Sequence, residues 1–161
     1  MIEQVLNRRN VMRAYRQVVT NKGSAGVDGM PVRELYKYLT NNRERIETEL
    51  RQGKYQPQVI LGVEIPKSNG KTRLLGIPTV IDRLLQQAVG QVIAIKFEME
   101  FEDYSYGFRP NRNAQQAVLK SQEYINLGYQ HIVDIDLKSF FDEVDHCILL
   151  QLLYRKIKCP L

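Results

Sequence analysis

Two aspartates separated by a single residue stand in an apolar segment, residues 131–137 (HIVDIDL). Side chains alternate along a strand, so Asp134 and Asp136 are predicted to project from the same face. A buried, unpaired carboxylate is costly, and Mg²⁺ is a suitable partner because it takes oxygen ligands from one or two carboxylates. The alternative, which stays open at this point, is a solvated aspartate at the strand end that pairs with Lys138 or a helix N-terminus.

A second group of residues is cationic and surrounds a tight turn. Lys67, Lys71 and Arg73 flank the sequence Ser68-Asn69-Gly70, and Asn-Gly supplies the positive φ angles that a hairpin turn needs. Arginine can donate two hydrogen bonds to one phosphate, whereas lysine acts as a point charge. The pattern therefore predicts a phosphate-binding hairpin, although an edge hairpin protected by lysine fits the composition equally well.

The elements that must position these residues follow an irregular order, which predicts an α+β fold rather than a repeating βαβ array. An ordered glycine-rich loop at residues 23–29 is expected, with Val27 and Met30 as anchors. Helices are predicted over about residues 3–20, 32–52 (with a break near Asn41-Asn42 left open), 80–99, 111–126 and 139–156, and strands over about 59–65, 73–77 and 132–137.

Composition sets the limits of this interpretation. The chain has 161 residues, enough for one domain or for one domain and the start of another. A net charge of +5 permits a polyanionic partner. No apolar run approaches the ~20 residues that span a bilayer, so no membrane partner is expected. Two cysteines predict neither a disulfide framework nor a zinc site, which favours a cytoplasmic, reducing location.

Three segments together resemble the reverse transcriptases of group II introns. Residues 134–146 (DIDLKSFFDEVDH) are similar to the first palm motif of that family, residues 65–78 to its fingers hairpin, and residues 105–114 (SYGFRPNRNA) to its YGFRP segment. The resemblance covers essentially the whole chain. It implies the fingers and a partial palm of a right-hand polymerase. The expected organisation is 1–53, an N-terminal helical extension with a template-contacting loop; 54–128, the fingers; and 129–161, the start of the palm.

The resemblance also implies roles around the incoming nucleotide. Asp136 would be the catalytic ligand of both Mg²⁺ ions, and the carbonyl of Leu137 would help to bind one of them. Lys67 and Arg73 would clamp the triphosphate, with Lys71 as a supporting charge. The backbone at Ser139 and Phe140 would contact the triphosphate, and Phe141 or Phe140 would pack on the sugar and disfavour a 2′-hydroxyl.

Contacts with the template are implied in the same way. The loop with Asn21, Lys22 and Gly23 would lie against the template–primer, and Ile77 and Pro78 would form the floor beneath the templating base. Arg109 is expected near the template or the adjoining palm, and Phe108 is expected to be buried.

These implications describe an RNA-directed DNA polymerase that copies an RNA template from a DNA primer with dNTPs. The Tyr-Ala-Asp-Asp-type turn that carries the family's other metal ligands does not occur in the 161 residues, so the fragment alone is expected to be inactive. One alternative is a maturase module that binds intron RNA through Arg8, Arg9, Arg13, Arg43 and Arg45. Another is the reverse transcriptase of a retron, a diversity-generating element or a CRISPR-associated system, and a homodimer is left open.

Overall fold

Helices make up most of the chain in the computed structural model, which describes residues 1–66 and 70–158. Together with one antiparallel hairpin they confirm the α+β class. The helices are α1 (Ile2–Val5), α2 (Arg8–Asn21), α3 (Leu35–Arg51), α4 (Val80–Phe97), α5 (Ala114–Asn126), α6 (Phe140–Glu143) and α7 (His146–Ile157), and the strands are β1 (Leu61–Pro66) and β2 (Thr72–Ile77). None of the described helices is both long enough and apolar enough to cross a membrane.

The chain divides into two compact units, one comprising Met1–Ala94 and the other beginning at Ile95. The organisation predicted from sequence, with limits at residues 53 and 128, stays a prediction. Only the first unit contains a cluster of buried apolar side chains among the described residues, contributed by α1 to α4: Val5, Ala14, Val18, Leu35, Ile46, Val80, Ile81, Leu84 and Ala88. This core fixes the base of the hairpin and the loop that follows α2.

Helix α3 runs without interruption through Asn41 and Asn42, so the break left open there does not occur. Polar side chains near this point form hydrogen bonds within the helix. The hydroxyl of Thr40 donates to the carbonyl of Tyr36, and the side-chain amide of Asn42 donates to the carbonyl of Tyr38. Side chains that bond the carbonyl four residues earlier leave the backbone hydrogen bonds of the helix in place. The helix ends before Gly53, whose φ of +65° suits glycine.

The hairpin pairs β1 with β2 in one register, from Leu61 opposite Ile77 to Pro66 opposite Thr72. Both strands agree with the sequence prediction to within two residues. Gly70 adopts a φ of +77°, the conformation expected from the Asn-Gly pair, while Ser68 and Asn69 lie outside the described residues. The β1 side chains are exposed, so the hairpin extends from the unit rather than contributing to its core.

The start of α4 is tied to the segment before the hairpin by a buried carboxylate. Asp82, only 4% exposed, accepts hydrogen bonds from the hydroxyl of Tyr55 (2.8 Å), the backbone N–H of Gln58 (3.1 Å) and the hydroxyl of Thr79 (2.6 Å). The backbone N–H of Asp82 donates in turn to the hydroxyl of Thr79 at 3.2 Å, so that the two residues cap the helix reciprocally. A buried carboxylate is stable here because several donors replace its water.

Replacing Tyr55 with phenylalanine should lower the free energy of unfolding by about 2 kcal/mol at neutral pH, since one donor to a buried carboxylate is lost. Burial, and then the bond to Asp82, raises the pKa of the Tyr55 phenol. The unfolded chain ionises first as the pH rises above about 10, so the contribution of Tyr55 is complete below that pH and shrinks above it. Denaturant unfolding of both proteins at about pH 8 and about pH 11 measures the difference. Tyr36→Phe, at an exposed phenol in α3, is the matched control; a Tyr55 effect that grows with pH would contradict the argument.

Two expectations about secondary structure in the second unit are wrong. Residues 131–137 form no strand, because no other described segment pairs with them, and Ile132, Val133 and Ile135 are more than 80% exposed. A strand needs a hydrogen-bonded neighbour, which apolar alternation alone does not provide. The helix predicted over 139–156 is two helices, interrupted at Val144 and Asp145, where the Asp145 carboxylate accepts from the backbone N–H groups of Cys147 and Ile148 and caps α7.

Phe108, which was expected to be buried, is fully exposed and has a φ of +55°. Its loop is organised instead by the neighbouring Arg109. The start of α5 follows the sequence, since Asn113 and Gln116 form a reciprocal capping box.

Candidate functional site

The predicted site residues fall in two groups, one in each compact unit. In the second unit an open hollow is lined by Ile135, Asp136, Leu137, Ser139, Phe140, Phe141 and Asp142. Ser139 has a φ of +51° and its carbonyl accepts from the N–H groups of Asp142 and Glu143, which turns the chain sharply after the carboxylate. All the nucleotide contacts predicted for this segment therefore border the same hollow.

Asp136 is exposed, and its carboxylate makes no hydrogen bond or ion pair with another described residue. The expectation of two carboxylates on one face of a strand is replaced by two exposed aspartates on an unpaired segment. The alternative pairing of an aspartate with Lys138 is likewise absent from the described contacts. The Asp136 side chain is thus accessible to a cation.

The donor chemistry of this segment fits Mg²⁺ in part. The carboxylate of Asp136 and the carbonyl of Leu137 are oxygen ligands, the type that Mg²⁺ takes from proteins. No cluster of three or more His, Cys, Asp or Glu side chains suited to a metal ion occurs within residues 1–66 and 70–158. These two groups could hold an ion only together with ligands from a substrate, water or further protein.

The two aromatic side chains next to the carboxylate are both accessible. The rings of Phe140 and Phe141 are 5.8 Å apart, with Phe140 50% and Phe141 91% exposed. Neither ring lies in a core, because the second unit buries no apolar side chain among its described residues. Both rings remain available to a sugar or base at the hollow.

In the first unit the cations of the hairpin lie at its exposed end. Arg73 stands opposite Ile65 in the ladder and is exposed; Lys71 is exposed and immediately precedes β2. Lys67 lies outside the described residues, so its expected place across from them stays a prediction. A fixed register gives Arg73 a rigid support, which suits recognition of an anion that arrives from solvent.

The loop after α2 packs on the base of this hairpin. Lys22 ends α2 in a left-handed conformation, φ 49°, and both Asn21 and Lys22 are exposed. Further along, Gly26 is buried against the backbone of Pro78 and Thr79. Met30 packs against the core as expected, whereas Val27 is 52% exposed and does not anchor the loop. The loop that begins with the predicted template-contacting residues Asn21, Lys22 and Gly23 is therefore in contact, through Gly26, with Pro78.

Arg109 is held by its own loop. Its side chain, 8% exposed, forms an ion pair with Glu98 at 2.9 Å and donates to the carbonyls of Glu102 (2.7 Å) and Ser105 (3.1 Å). The guanidinium also lies 5.2 Å from the ring centre of Phe101. This arrangement favours a structural role for Arg109, and a contact with nucleic acid stays a prediction.

Sequence reasoning did not single out the first turn of α4, where Asp82 and Arg83 bind two separate segments. Arg83 donates to the carbonyl of Ser24, 59 positions earlier in the chain. The only local signal is Thr79 followed three residues later by Asp82, a pattern typical of a helix N-terminus. Nothing in the local sequence indicates the distant partners.

Comparisons with known proteins agree with these motifs. The sequence profile described as "Reverse transcriptase (RNA-dependent DNA polymerase)" matches residues 65–161, more than half of the chain. The chain is 36% identical over 150 residues to the protein YkfC of Escherichia coli, covering 89% of this chain and 39% of YkfC. It is 37% identical over 146 residues to the group II intron-encoded protein LtrA of Lactococcus lactis, covering 90% of this chain and 24% of LtrA.

A solved structure shares the fold. A chain of a complex titled "Partial Cas6-RT-Cas1--Cas2 complex" matches with a TM-score of 0.51 and 20% identity, covering 94% of this chain and 25% of that chain. The present chain thus spans 24% to 39% of the lengths of these relatives.

Proposed function

We propose, from the premise that this chain belongs to the reverse transcriptase (RNA-dependent DNA polymerase) family, that it is the nucleotide- and template-binding part of a polymerase of the group II intron type. The observation that carries the proposal is the accessible Asp136 carboxylate, which borders one hollow with Ser139, Phe140 and Phe141 inside the matched region. The partners are an RNA template, a DNA primer and a dNTP.

The reaction is nucleotidyl transfer. The primer 3′-hydroxyl attacks the α-phosphorus of the dNTP and loses its proton to solvent, so that a phosphodiester bond forms. The bond between the α-phosphorus and the oxygen that bridges to the β-phosphate breaks, and pyrophosphate leaves. The negative charge of the triphosphate needs cations, which Arg73 and Lys71 supply on the hairpin, with Lys67 at the same turn. Asp136 and the carbonyl of Leu137 would hold Mg²⁺, which supplies Lewis-acid stabilisation of the charge on the transferring phosphate.

The aromatic pair acts on the sugar. An exposed ring beside the hollow can pack against a deoxyribose, and the same ring leaves little room for a 2′-hydroxyl. We assign this role to Phe141, the more exposed of the two, with Phe140 as its support.

Nucleotidyl transfer by this mechanism requires two metal ions about 3.5–4 Å apart, held by several carboxylates, and Asp136 alone does not provide them. We therefore propose that the 161-residue chain does not extend a primer by itself. A hybrid in which this chain replaces the matching segment of LtrA supplies the remaining elements, and is called the hybrid polymerase below.

Primer extension tests the proposal. The purified chain and the hybrid polymerase receive an RNA template annealed to a DNA primer, Mg²⁺ and all four dNTPs, and products are resolved by gel electrophoresis. Template-dependent extension by the hybrid and none by the chain alone is expected. Sustained extension by the chain alone would contradict the incomplete metal site, and an inactive hybrid whose circular dichroism and thermal unfolding match those of LtrA would contradict the polymerase role.

A maturase role is a second candidate, supported by one face of α2. Arg8, Arg9 and Arg13 are exposed, and no described carboxylate pairs with them. Arg43 and Arg45, by contrast, pair with Glu47 and Glu49 within α3, which leaves them less available to phosphates. Salt-dependent binding of an intron RNA in preference to unrelated RNA would favour this role, which is compatible with catalysis.

The further alternative is the reverse transcriptase of another retroelement. The match to the CRISPR-associated structure supports only a common fold, because that chain is 20% identical to this one. A homodimer also stays a prediction. The exposed apolar side chains of residues 132–137 and of α7 are compatible with it but do not select it over another covering segment.

A further inference from the structure

The loop comprising residues 22–29, named here the glycine loop, is attached to the first turn of α4 by one arginine. Nη2 of Arg83 donates to the carbonyl oxygen of Ser24, and Nη1 lies directly against Gly23, where a Cβ atom would collide with it. Arg83 is a long way from both in sequence, so this is a tertiary attachment. It is the one hydrogen bond that the Arg83 side chain makes among the described residues.

The other side of the glycine loop is fixed by backbone packing. A Cβ atom built on Gly26 would lie 2.7 Å from Cα and 2.8 Å from N of Thr79, closer than real Cβ atoms approach. Since both neighbours are backbone atoms held by the Thr79–Asp82 cap, they cannot move aside as a flexible side chain would. Only glycine allows the loop to lie this close to residues 78 and 79.

The charge of Arg83 is not used in an ion pair. No described carboxylate lies within salt-bridge distance of it, and its Nε is buried without a partner. An unsatisfied buried donor costs free energy. The conformation of Arg83 is therefore maintained by the hydrogen bond from Nη2 to Ser24 and by the contact of Nη1 with Gly23. The guanidinium is therefore placed as a support beneath the loop.

We propose that Arg83 is a positioning residue that, with Gly26, holds the glycine loop against the base of the hairpin, so that the loop and residues 77–79 meet a template–primer duplex as one rigid surface. The inference rests on the proposed function for the identity of the partner. Arg83 acts through the loop backbone and does not itself contact a phosphate. Rigid backbone amides can contact phosphates without sequence preference, and they lose affinity when the loop must be ordered on binding.

Three test substitutions and two control substitutions in the 161-residue chain examine this role. Arg83→Gln removes the guanidinium and its charge, Arg83→Lys keeps the charge but not the two terminal nitrogens, and Gly26→Ala displaces the loop without any change of charge. Arg33→Gln, at an exposed arginine before α3, controls for loss of one cation, and Gly90→Ala, where a Cβ atom meets nothing within 4 Å, controls for the glycine substitution. Circular dichroism verifies that each variant is folded.

The measurements are hydrogen exchange of amides 23–29 and binding of a fluorescent RNA–DNA template–primer over a range of salt concentrations. Arg83→Gln and Arg83→Lys should each speed exchange in the loop and weaken binding by about tenfold, the effect of about one lost charge-assisted hydrogen bond. Gly26→Ala should also speed exchange and weaken binding, because the added Cβ atom displaces the loop from residues 78 and 79. The slope of affinity against salt should stay unchanged in Arg83→Lys and Gly26→Ala, because no phosphate contact is removed. Both controls should bind as the unsubstituted chain does.

Two results would overturn the inference. If Arg83→Lys restores full affinity while Arg83→Gln lowers the salt slope by about one contact, Arg83 binds a phosphate directly. If the loop exchanges faster but affinity does not change, the loop has no role in binding. Both of these results leave the proposed polymerase function intact. By contrast, failure of the unsubstituted chain to bind the duplex, or an inactive hybrid polymerase, would count against the polymerase function itself.

Discussion

Replacing Asp136 with alanine in the hybrid polymerase should abolish DNA synthesis, with a loss of at least about 10³-fold in the rate of extension. Asp136 and Asp142 are the two exposed carboxylates that line the hollow, and Asp136 is the one that the family motif assigns to the metal; no described residue neutralises it. Without Asp136 the predicted metal loses its proposed carboxylate ligand, and the carbonyl of Leu137 alone is a weak ligand. Single-turnover extension at saturating dNTP separates this loss of chemistry from a loss of nucleotide affinity.

Asp134 supplies a matched control, since it is an exposed aspartate two positions earlier on the same unpaired segment. Asp134→Ala should retain synthesis. Any effect that comes only from removing a negative charge from this segment should appear in Asp134→Ala as well as in Asp136→Ala. Template–primer affinity should change little in either variant. Retention of synthesis by Asp136→Ala, or equal losses in both variants, would show that the metal assignment is wrong.

Replacing Arg73 with alanine should raise the KM for dNTP by about 10- to 100-fold, which corresponds to the loss of about 1.5–3 kcal/mol from a charge-assisted contact. Affinity for the RNA template should change much less. Arg73 is exposed on β2, in a register fixed by its pairing opposite Ile65, so its removal leaves the ladder in place. The effect should therefore appear in nucleotide binding rather than in folding.

Steady-state extension at varied dNTP concentration measures this change, with template affinity measured separately by fluorescence anisotropy. Arg33→Ala, at an exposed arginine remote in sequence from the hairpin, is the control for loss of a cation. Lys71→Ala should give a smaller rise in KM than Arg73→Ala, because a lysine acts as a point charge without the paired donors of arginine. A larger loss in template affinity than in nucleotide affinity would place Arg73 on the nucleic acid instead.

Several features of the fold could be predicted because they depend on neighbouring residues. The hairpin followed from strand-forming residues around Asn69-Gly70, and α5 began after Asn113, one of the two asparagines, Asn111 and Asn113, that could cap it. Helix limits were accurate where glycine or a capping side chain marks them, as at Gly53. Family membership also followed from contiguous motifs, which the profile match over residues 65–161 confirms.

Other features depended on partners that are distant in the chain. Alternation at Ile132 to Leu137 is compatible with a strand, but a strand exists only where another segment accepts its hydrogen bonds, and no described segment does. For Arg109 the resemblance implied a place near the template or the adjoining palm, and the position of Glu98 together with three backbone carbonyls favours a structural role. Phe108 is exposed because Arg109, rather than an aromatic ring, organises the loop.

The sequence alone therefore determined the residue types that can do chemistry and their order: the carboxylate at 136, the cations from 67 to 73 and the glycine loop. Local propensities and motifs are properties of adjacent residues, and they need no knowledge of the fold. Only the tertiary structure decided that Asp82 would hold Tyr55 and Gln58, and that Arg83 would support Ser24, because these partners are 24 to 59 positions apart. Packing brings such groups together through the burial of Val80, Ile81 and Leu84. The sequence next to the polar residues does not indicate which distant partners this burial will place beside them.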